Sequence, residues 1–168
     1  MVNVLVAFAT RHEATRQVAD AIAEELRCGG ATVDVRAAWS VRAPVVGQDL
    51  VVLGAPLYSG RWLPSAHHFL RRHREELQQV PVAVFALGPR ERTDEAWSHS
   101  RSQLDRAVGK HPRLHPAATA LFGGADELGR SLSPRRDLRD WAAIRAWATE
   151  ISQLAVNAGS HAGGQERP

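Results

Sequence analysis

Hydroxyl and cationic side chains are concentrated in residues 10–15, between a short apolar run and an amphipathic one. Thr10 and Thr15 carry hydroxyls and Arg11 carries a guanidinium. If a helix begins here, several backbone N–H groups lack partners and the helix dipole adds partial positive charge at the same point. A phosphate group suits such a position. No Gly-Lys pair follows, so the segment is not the phosphate loop of a nucleoside triphosphatase.

Two further segments offer groups that suit a flat ring. The stretch GAPLYSGRWLP, residues 54–64, holds Tyr58 and Trp62, whose rings can stack, and Gly60, beside which backbone can approach a ring edge. The stretch LGPRERTDEAW, residues 87–97, contributes a glycine, a proline and an arginine. Together with the phosphate segment, these two stretches favour an aromatic phosphate ester as the ligand.

Five short apolar runs, rich in β-branched residues, predict the strands that position these segments. Most are continuous rather than alternating, which is typical of strands covered on both faces of a sheet. The runs are Val2–Ala9, Thr32–Arg36, Asp49–Gly54, Pro81–Leu87 and Ala117–Gly123.

Helical periodicity fills the intervals between the runs. Val18, Ile22 and Leu26 recur every four residues, and the stripe stops at Gly29-Gly30. Further stripes predict helices over residues 63–77, opened by Pro64, over 97–108, and over 141–154. Residues 37–48 have no convincing period and predict only a turn or a short helix.

Alternating strands and helices predict an α/β fold with a doubly wound, five-stranded parallel sheet and helices on both faces. The strand order we expect is 2-1-3-4-5. In that order, the loops that follow the first, third and fourth strands meet at one crevice. These loops are residues 10–15, 55–63 and 88–97, which are the segments with the candidate binding groups.

Three stretches of the chain resemble the flavodoxin-like domain family, in the branch that includes menaquinone-dependent protoporphyrinogen oxidase. They are VLVAFATRHEATRQVADAIAEEL, DLVVLGAPLYSGRWLPSAHHFLRRHREEL and ATALFGGA with the later RDWAAIRAWATEIS. The resemblance covers residues 2–155, and its segments match in order and spacing. It implies a flavodoxin-like fold and noncovalent FMN, with the phosphate on residues 10–15 and the ring between residues 56–62 and 88–90. The implied cofactor-binding residues are Thr10, Arg11, His12, Glu13, Ala14, Thr15, Pro56, Leu57, Tyr58, Ser59, Gly60, Trp62, Gly88, Pro89 and Arg90.

Glu13 departs from the family pattern, which usually has glycine at this position. A left-handed backbone here would cost a non-glycine residue about 1 to 2 kcal/mol. A carboxylate about 6 Å from a phosphate would cost roughly 2 to 3 kcal/mol at an effective dielectric near 20. Nearby cations offset this cost if the side chain points to water. Alternatively, Glu13 caps the helix start itself and occupies the amides that a phosphate needs.

The segment GADELGRSLSPRR is a second departure. The protoporphyrinogen oxidase branch has a longer insertion here, which is linked with membrane association. We therefore expect the machinery on the quinone side to be missing, and do not assign porphyrinogen oxidation to the chain.

The 168 residues predict one domain, residues 1–157, followed by a disordered tail, residues 158–168. Cys28 is the only cysteine, which favours a reducing compartment and therefore the cytoplasm. No run reaches the length of a membrane span, so we expect no integral membrane segment. The net charge of +3 is spread along the chain without a basic arm, which argues against nucleic acid as a partner.

Two functions from different classes remain open at this stage. The first is an FMN-dependent oxidoreductase that passes electrons from a reductase or a nicotinamide donor to a quinone-like or protein acceptor. The second is a regulatory or protein-interaction module with a weakened or lost flavin site. A site for another phosphorylated cofactor, such as a deazaflavin, is a third reading, and a homodimer is left open. No catalytic residue and no metal site is predicted.

Several other conspicuous residues have ordinary structural readings. His67, His68 and His73 fall among charged residues and predict a solvated helix face, while His111 has no ligand spacing. Cys28 is interpreted as a packing residue.

Overall fold

A parallel sheet forms the centre of the molecule. The computed structural model describes residues 1–126 and 136–162. Its strands are β1 (Asn3–Phe8), β2 (Thr32–Ala37), β3 (Leu50–Tyr58), β4 (Arg61–Trp62), β5 (Val82–Leu87) and β6 (Ala118–Phe122). Five of them pair in parallel in the order β2-β1-β3-β5-β6, and the two-residue β4 pairs antiparallel with the end of β3. Without β4, this is the predicted 2-1-3-4-5 order, which is thus confirmed.

Four α-helices lie in the described residues. They are α1 (Glu13–Cys28), α2 (Pro64–Arg72), α3 (Asp94–Gly109) and α4 (Trp141–Ala162). Pro64 occupies the first turn of α2, where its missing N–H costs nothing. Thr93 caps α3 by accepting a hydrogen bond of 3.2 Å from the amide of Ala96.

Each face of the sheet has its own apolar layer, because successive side chains of a strand point to opposite sides. Val4 and Val6 of β1 pack with α1 and α4, whereas Leu5 and Ala7 pack with α2 and α3. β3 and β5 divide in the same way and are buried along almost their whole length. Burial on both faces is the physical reason why these strands are apolar at nearly every position.

Most predicted ends are one to three residues from the observed ones, and three elements differ by more. β3 continues past Gly54 to Tyr58, because β5 pairs with Ala55 and Pro56 and β4 supplies a short antiparallel partner for the last two residues. The predicted stripe over 63–77 is divided, since α2 ends at Arg72 and Leu77 lies in a separate 3₁₀ turn. α4 extends through Ala162, five residues into the predicted tail, because adding residues to an existing helix is much easier than starting one. The rest of the tail, residues 163–168, lies outside the described residues.

The prediction that His67, His68 and His73 lie on a solvated helix face is wrong at two of these positions. His73 follows α2 and is buried, with its Nε2 3.1 Å from the carbonyl oxygen of Val41. His67 is half-buried, and its Nδ1 lies 2.8 Å from Nε2 of His111. The packing role expected for Cys28 is also wrong, because this residue is exposed at the end of α1.

Gly54 provides the main test of the packing. It pairs with Phe85 across β3 and β5, and a Cβ atom on Gly54 would collide with the Phe85 ring in the core. We expect Gly54→Ala to lower the free energy of unfolding by about 1 to 3 kcal/mol, since overpacked cores must distort. Gly109→Ala is the matched control, because nothing lies within 4 Å of the added methyl group. Urea unfolding of both variants checks this, and equal stabilities would contradict the packing argument.

Candidate functional site

A cavity of about 520 Å³ opens at the carboxyl edge of the sheet. It lies where the chain leaves β1, β3, β5 and β6, which is the expected crevice of a doubly wound sheet. The residues that line it are Thr10, Arg11, His12, Glu13, Ala14, Thr15, Gln17, Pro56, Leu57, Tyr58, Leu87, Gly88, Arg90, Gly124, Ala125, Asp126, Asp137 and Arg139.

The N-terminus of α1 forms one wall of this cavity. His12 precedes the helix with an extended backbone, and no side chain of the described residues caps the first-turn amides. The Thr10 hydroxyl accepts a 3.1 Å hydrogen bond from the amide of His12 and donates one to its carbonyl oxygen. The Thr10 hydroxyl is therefore used within the loop itself, and the first-turn amides of α1 are the groups that best suit an anion.

Glu13 occupies the first position of α1 and lines the same cavity. Among the described residues, Ser59 alone of the non-glycine residues has a left-handed backbone, so the strain considered for Glu13 does not arise. The Glu13 side chain is exposed, and its carboxylate forms no hydrogen bond or ion pair within residues 1–126 and 136–162. The alternative in which Glu13 caps its own helix is therefore not the arrangement adopted.

Tyr58 supplies an aromatic wall opposite the α1 loop. Its ring meets the His12 ring edge-on, with the centroids 6.3 Å apart, and the Arg11 guanidinium carbon lies 5.7 Å from the Tyr58 centroid. A cation within about 6 Å of a ring gains roughly 0.5 to 1 kcal/mol at an exposed site. The two loops are thus joined by their own side chains at the mouth of the cavity.

The connection after β6 closes the third side of the cavity. Ala125 and Asp137 pair antiparallel, and the Asp126 amide donates a 2.8 Å hydrogen bond to the carbonyl oxygen of Arg136. The Asp126 carboxylate accepts hydrogen bonds of 3.0 Å from the Arg136 amide and from the Arg90 guanidinium. The predicted segment around Arg90 is thereby attached to the connection between β6 and α4.

The surroundings of Asp126 favour its charged form. The hydrogen bond from the Arg136 amide, followed by the charge of Arg90, lowers its pKa below the ordinary 3.8 and outweighs desolvation. The unfolded chain therefore binds this proton more readily than the folded chain does. The contribution of Asp126 to stability is present above pH 3.8 and is lost as the pH falls through the lowered pKa.

Arg139 connects this third side to the first turn of α1. It makes two hydrogen bonds to the Asp137 carboxylate, of 2.9 and 2.7 Å. Its Nη1 donates to the carbonyl oxygen of Ala14 at 3.3 Å and to Oε1 of Gln17 at 2.6 Å. The Arg139 side chain is only 8% exposed, and it also lies 4.8 Å from the centroid of the Trp141 ring. These contacts fix the Arg139–Asp137 ion pair beside the α1 terminus.

The comparison with known families gives a clear assignment. The family model described as "Flavodoxin domain" matches residues 5–129, more than half of the chain. The chain belongs to the flavodoxin domain family. The resemblance inferred from the sequence is confirmed.

Known proteins similar to this flavodoxin domain include an enzyme and several solved structures. Protoporphyrinogen IX dehydrogenase [quinone] of Escherichia coli strain K12 is 28% identical over 171 aligned positions, which cover 89% of this chain and 94% of the relative. A flavodoxin from the domain Archaea has a TM-score of 0.62 at 13% identity, with 92% of this chain and 99% of that one covered. Rubredoxin oxygen:oxidoreductase of Desulfovibrio gigas has a TM-score of 0.61 at 14% identity, with 93% of this chain and 36% of that one covered. At these identities, the two structures support the fold alone.

Most of the residues proposed for the site from the sequence line the cavity of the flavodoxin domain. These are Thr10, Arg11, His12, Glu13, Ala14, Thr15, Pro56, Leu57, Tyr58, Gly88 and Arg90. Four of the proposed residues do not line it. Ser59 and Gly60, both with positive φ, form the tight turn between β3 and β4. Trp62 is buried beneath the hairpin, where its Nε1 donates to the carbonyl oxygen of Ala55, and Pro89 is buried with its own carbonyl bound to Gly124.

The wall also contains residues that the sequence argument missed. They are Gln17, Leu87, Gly124, Ala125, Asp126, Asp137 and Arg139. Gln17 follows Glu13 by one helical turn, so helical spacing would have revealed it. The loop after β6 was detectable too, since it follows a strand at the crevice and opens with two glycines. The contact of Arg139 with Ala14 spans 125 positions, and no local pattern signals it.

Two general properties of the described residues bear on function. No helix in residues 1–126 or 136–162 is both long and apolar enough to cross a membrane. No group of three or more potential metal ligands occurs in the same part of the chain. The segment GADELGRSLSPRR, residues 124–136, on which the expectation about the quinone-side machinery rests, lies largely outside the described residues.

Arg139 provides a test of how the cavity is held together. Arg139→Met removes hydrogen bonds to a carboxylate and a carbonyl, and should lower the free energy of unfolding by about 1.5 to 3 kcal/mol. Arg139→Lys keeps the charge but loses the planar guanidinium group with its several hydrogen-bond donors, so it should retain only part of this stability. Arg145→Met, an exposed position on α4, is the control. Urea unfolding measures all three, and an Arg139→Met variant as stable as the control would contradict this role.

Proposed function

We propose that this chain is a flavodoxin-like redox protein that binds FMN noncovalently in the cavity at the carboxyl edge of its sheet. It would take electrons from a reductase or a nicotinamide donor and pass them to a quinone-like or protein acceptor. The observation that carries the proposal is the N-terminus of α1, which no side chain of the described residues caps, in the wall of a cavity that also contains the Tyr58 ring. The Escherichia coli relative has the word quinone in its name, and this supports a quinone-like acceptor.

The residues present fit the chemistry of FMN. The first-turn amides of α1 suit a doubly charged phosphate, and the buried Thr15 at the same point lines the cavity. Arg11 adds positive charge to the same wall, whereas the charge of Arg139 is paired with the Asp137 carboxylate. Tyr58 offers a ring face, and a cavity of about 520 Å³ falls within the usual range of about 300 to 1,000 Å³ for small-molecule sites.

The division of labour between cofactor and protein follows from this arrangement. When bound, FMN supplies the electron-transfer chemistry, which no side chain of this site provides. The chain's residues hold the phosphate, orient the ring between the Tyr58 loop and the Gly88 loop, and exclude water from one side. We therefore name cofactor-binding residues only, and assign no catalytic residue.

The principal rival is a flavodoxin fold whose flavin site is weakened and whose surface serves regulation or protein interaction. One observation favours it: the Glu13 carboxylate lines the wall where a phosphate would lie. Its exposure to solvent reduces the repulsion, since water and salt screen charges near a surface. Flavin binding is thus the better-supported function. A deazaflavin in place of FMN is the third possibility.

Flavin titration tests this proposal directly. We expect FMN to bind the purified protein saturably, with one FMN per chain, and to bind at least tenfold tighter than riboflavin, because only FMN reaches the α1 amides. Quenching of flavin fluorescence measures both affinities. A colourless protein that shows no saturation with excess FMN overturns the proposal. If a deazaflavin phosphate binds more tightly than FMN, the assigned cofactor is the deazaflavin.

Glu13 tests the electrostatic argument separately. At about 6 Å in a water-like dielectric, each pair of unit charges costs roughly 0.7 kcal/mol. Glu13→Gln should therefore tighten FMN binding about threefold to tenfold at low salt, and less at 0.5 M salt, where the Debye length is only a few ångströms. The affinity for riboflavin should not change.

Glu24→Gln is the matched control for this measurement. Glu24 is exposed on the same helix, beyond its first turns, and does not line the cavity. If the two variants change FMN affinity equally, or if Glu13→Gln has no effect at any salt concentration, the repulsion argument fails while the flavin assignment stands.

A further inference from the structure

A second cavity lies at the opposite edge of the sheet from the proposed flavin site. It has a volume of about 380 Å³ and is lined by the end of α2, the turn after it, and the connection between α3 and β6. Because α2 and α3 both begin at the carboxyl edge of the sheet and cross its face, their ends lie at the amino edge. The residues that line it are Leu70, Arg71, Arg74, Glu75, Leu77, Lys110, His111, Pro112, Arg113 and Leu114.

We propose that this cavity is a binding site for a small anionic amphiphile, in which a carboxylate or phosphate head is joined to a short apolar body. Three features carry the proposal: the concentration of positive charge on the wall, the histidine pair at its side, and the leucines at its inner end. The proposal is independent of the flavin function.

The charge on this wall is high for so small a surface. Four cationic side chains and one carboxylate line the cavity, which gives a net charge of +3 with histidine neutral. The formal net charge of the whole chain is also +3, so the rest of the sequence is neutral by the same count. The basic residues are scattered in sequence, but the fold gathers the excess at one place.

The single carboxylate does not neutralise all of these cations. Glu75 is bonded to Arg113 at 2.7 Å and to Arg74 at 3.3 Å. Arg71 and Lys110 pair with no carboxylate in the described part of the chain. These two side chains are therefore available to an external anion, and a guanidinium offers paired donors that match a carboxylate or a phosphate.

The histidine pair responds to the same cations. His67 Nδ1 and His111 Nε2 are 2.8 Å apart, and the planes of the two rings differ by only 19°. One ring must donate and the other must accept, so the pair holds at most one extra proton while it stays bonded. Desolvation is the main cause that lowers the pKa of both rings below 6.5; the positive charges of Lys110 and Arg71 add to it, and for His67 the charge of His111 comes second. An anion seated between these cations would reverse part of that effect.

The inner end of the cavity explains why a bare ion is not the expected ligand. Leu70 and Leu77 are buried there, and Leu114 packs partly against the same core layer. The volume exceeds what a simple inorganic anion fills, and small-molecule sites usually combine apolar surface with a few polar groups. None of the described residues that line it is a phenylalanine, tyrosine or tryptophan that could stack on a nucleic-acid base.

Titrations with octanoate and octyl phosphate test the proposal, followed by NMR of the His67 and His111 rings in the full chain. We expect saturable binding, a rise in the pKa of both rings, and affinity that increases as the pH falls towards 6. Inorganic phosphate, which lacks the apolar body, should bind at least tenfold more weakly than octyl phosphate. Octanol, which lacks the charge, should not raise either pKa.

Variants locate the binding in this cavity. Arg71→Gln and Lys110→Gln should each weaken octanoate binding about tenfold, the usual effect of losing one charged hydrogen bond. Arg101→Gln, an exposed position on α3 outside the cavity, is the matched control and should bind as the original chain does. Unperturbed histidine rings, or equal losses in all three variants, would overturn the proposal. Flavin affinity should be unchanged in each variant.

Vesicles distinguish the two sources of such an anion. Sedimentation with phosphatidylglycerol vesicles, but not with phosphatidylcholine vesicles, which is lost in Arg71→Gln, would identify the ligand as a lipid headgroup. Binding of free octyl phosphate without vesicle binding would identify a free metabolite. Binding of neither would overturn the proposal.

Discussion

The constraint on which the rest of this structure depends is the strand order, in which strands are added to the sheet on one side of β1 and then on the other. β2 lies on one side of β1, and β3, β5 and β6 follow on the other. The crossovers therefore place α1 and α4 on one face and α2 and α3 on the other. Where the two directions diverge, no helix covers the carboxyl edge of the sheet, and a crevice must form. The cavity and the end of α1 share this position for that reason.

Electrostatics at the crevice combine opposing contributions. The α1 terminus and the Arg11 cation favour an anion, and Glu13 opposes it, while Arg90 and Arg139 are paired with Asp126 and Asp137. The positions of these groups decide the balance. Arg139 is nearly buried and fixed by four hydrogen bonds, whereas Glu13 is exposed and makes none among the described residues. The Arg139–Asp137 pair is thus fixed but neutral overall, whereas the Glu13 charge is screened by water and salt.

The two edges of the sheet have different chemistry for a structural reason. At the carboxyl edge the helices begin, so backbone N–H groups and their partial charges are available to an anion. At the amino edge α2 and α3 end, and positive charge there comes from side chains such as Arg71 and Lys110. Cations near helix C-termini are favourable in their own right, which permits such a cluster without loss of stability. The two proposed anion sites thus depend on two separate sources of positive charge.

The sequence by itself determined the architecture and the position of residues 10–15 at the crevice. The sufficient signals were apolar runs of strand length, the repeat of Val18, Ile22 and Leu26 every four residues, and the glycines after it. Strands buried on both faces need apolar residues at nearly every position, so they can be recognised from residue type. Local signals also placed Tyr58 and Arg90 at the crevice. They failed for Trp62, since the two-residue turn at Ser59-Gly60 folds that ring under the hairpin, and they failed to predict that β3 would continue into it.

Tertiary structure alone decided which distant groups meet. The attachment of Arg139 to Ala14, the pairing of His67 with His111 and the burial of His73 join residues separated by 125, 44 and 32 positions. The gathering of the net positive charge beside α2 is of the same kind. Propensity and periodicity describe neighbours along the chain, whereas these contacts depend on how helices lie across the sheet, and that geometry exists only after the whole layer has packed.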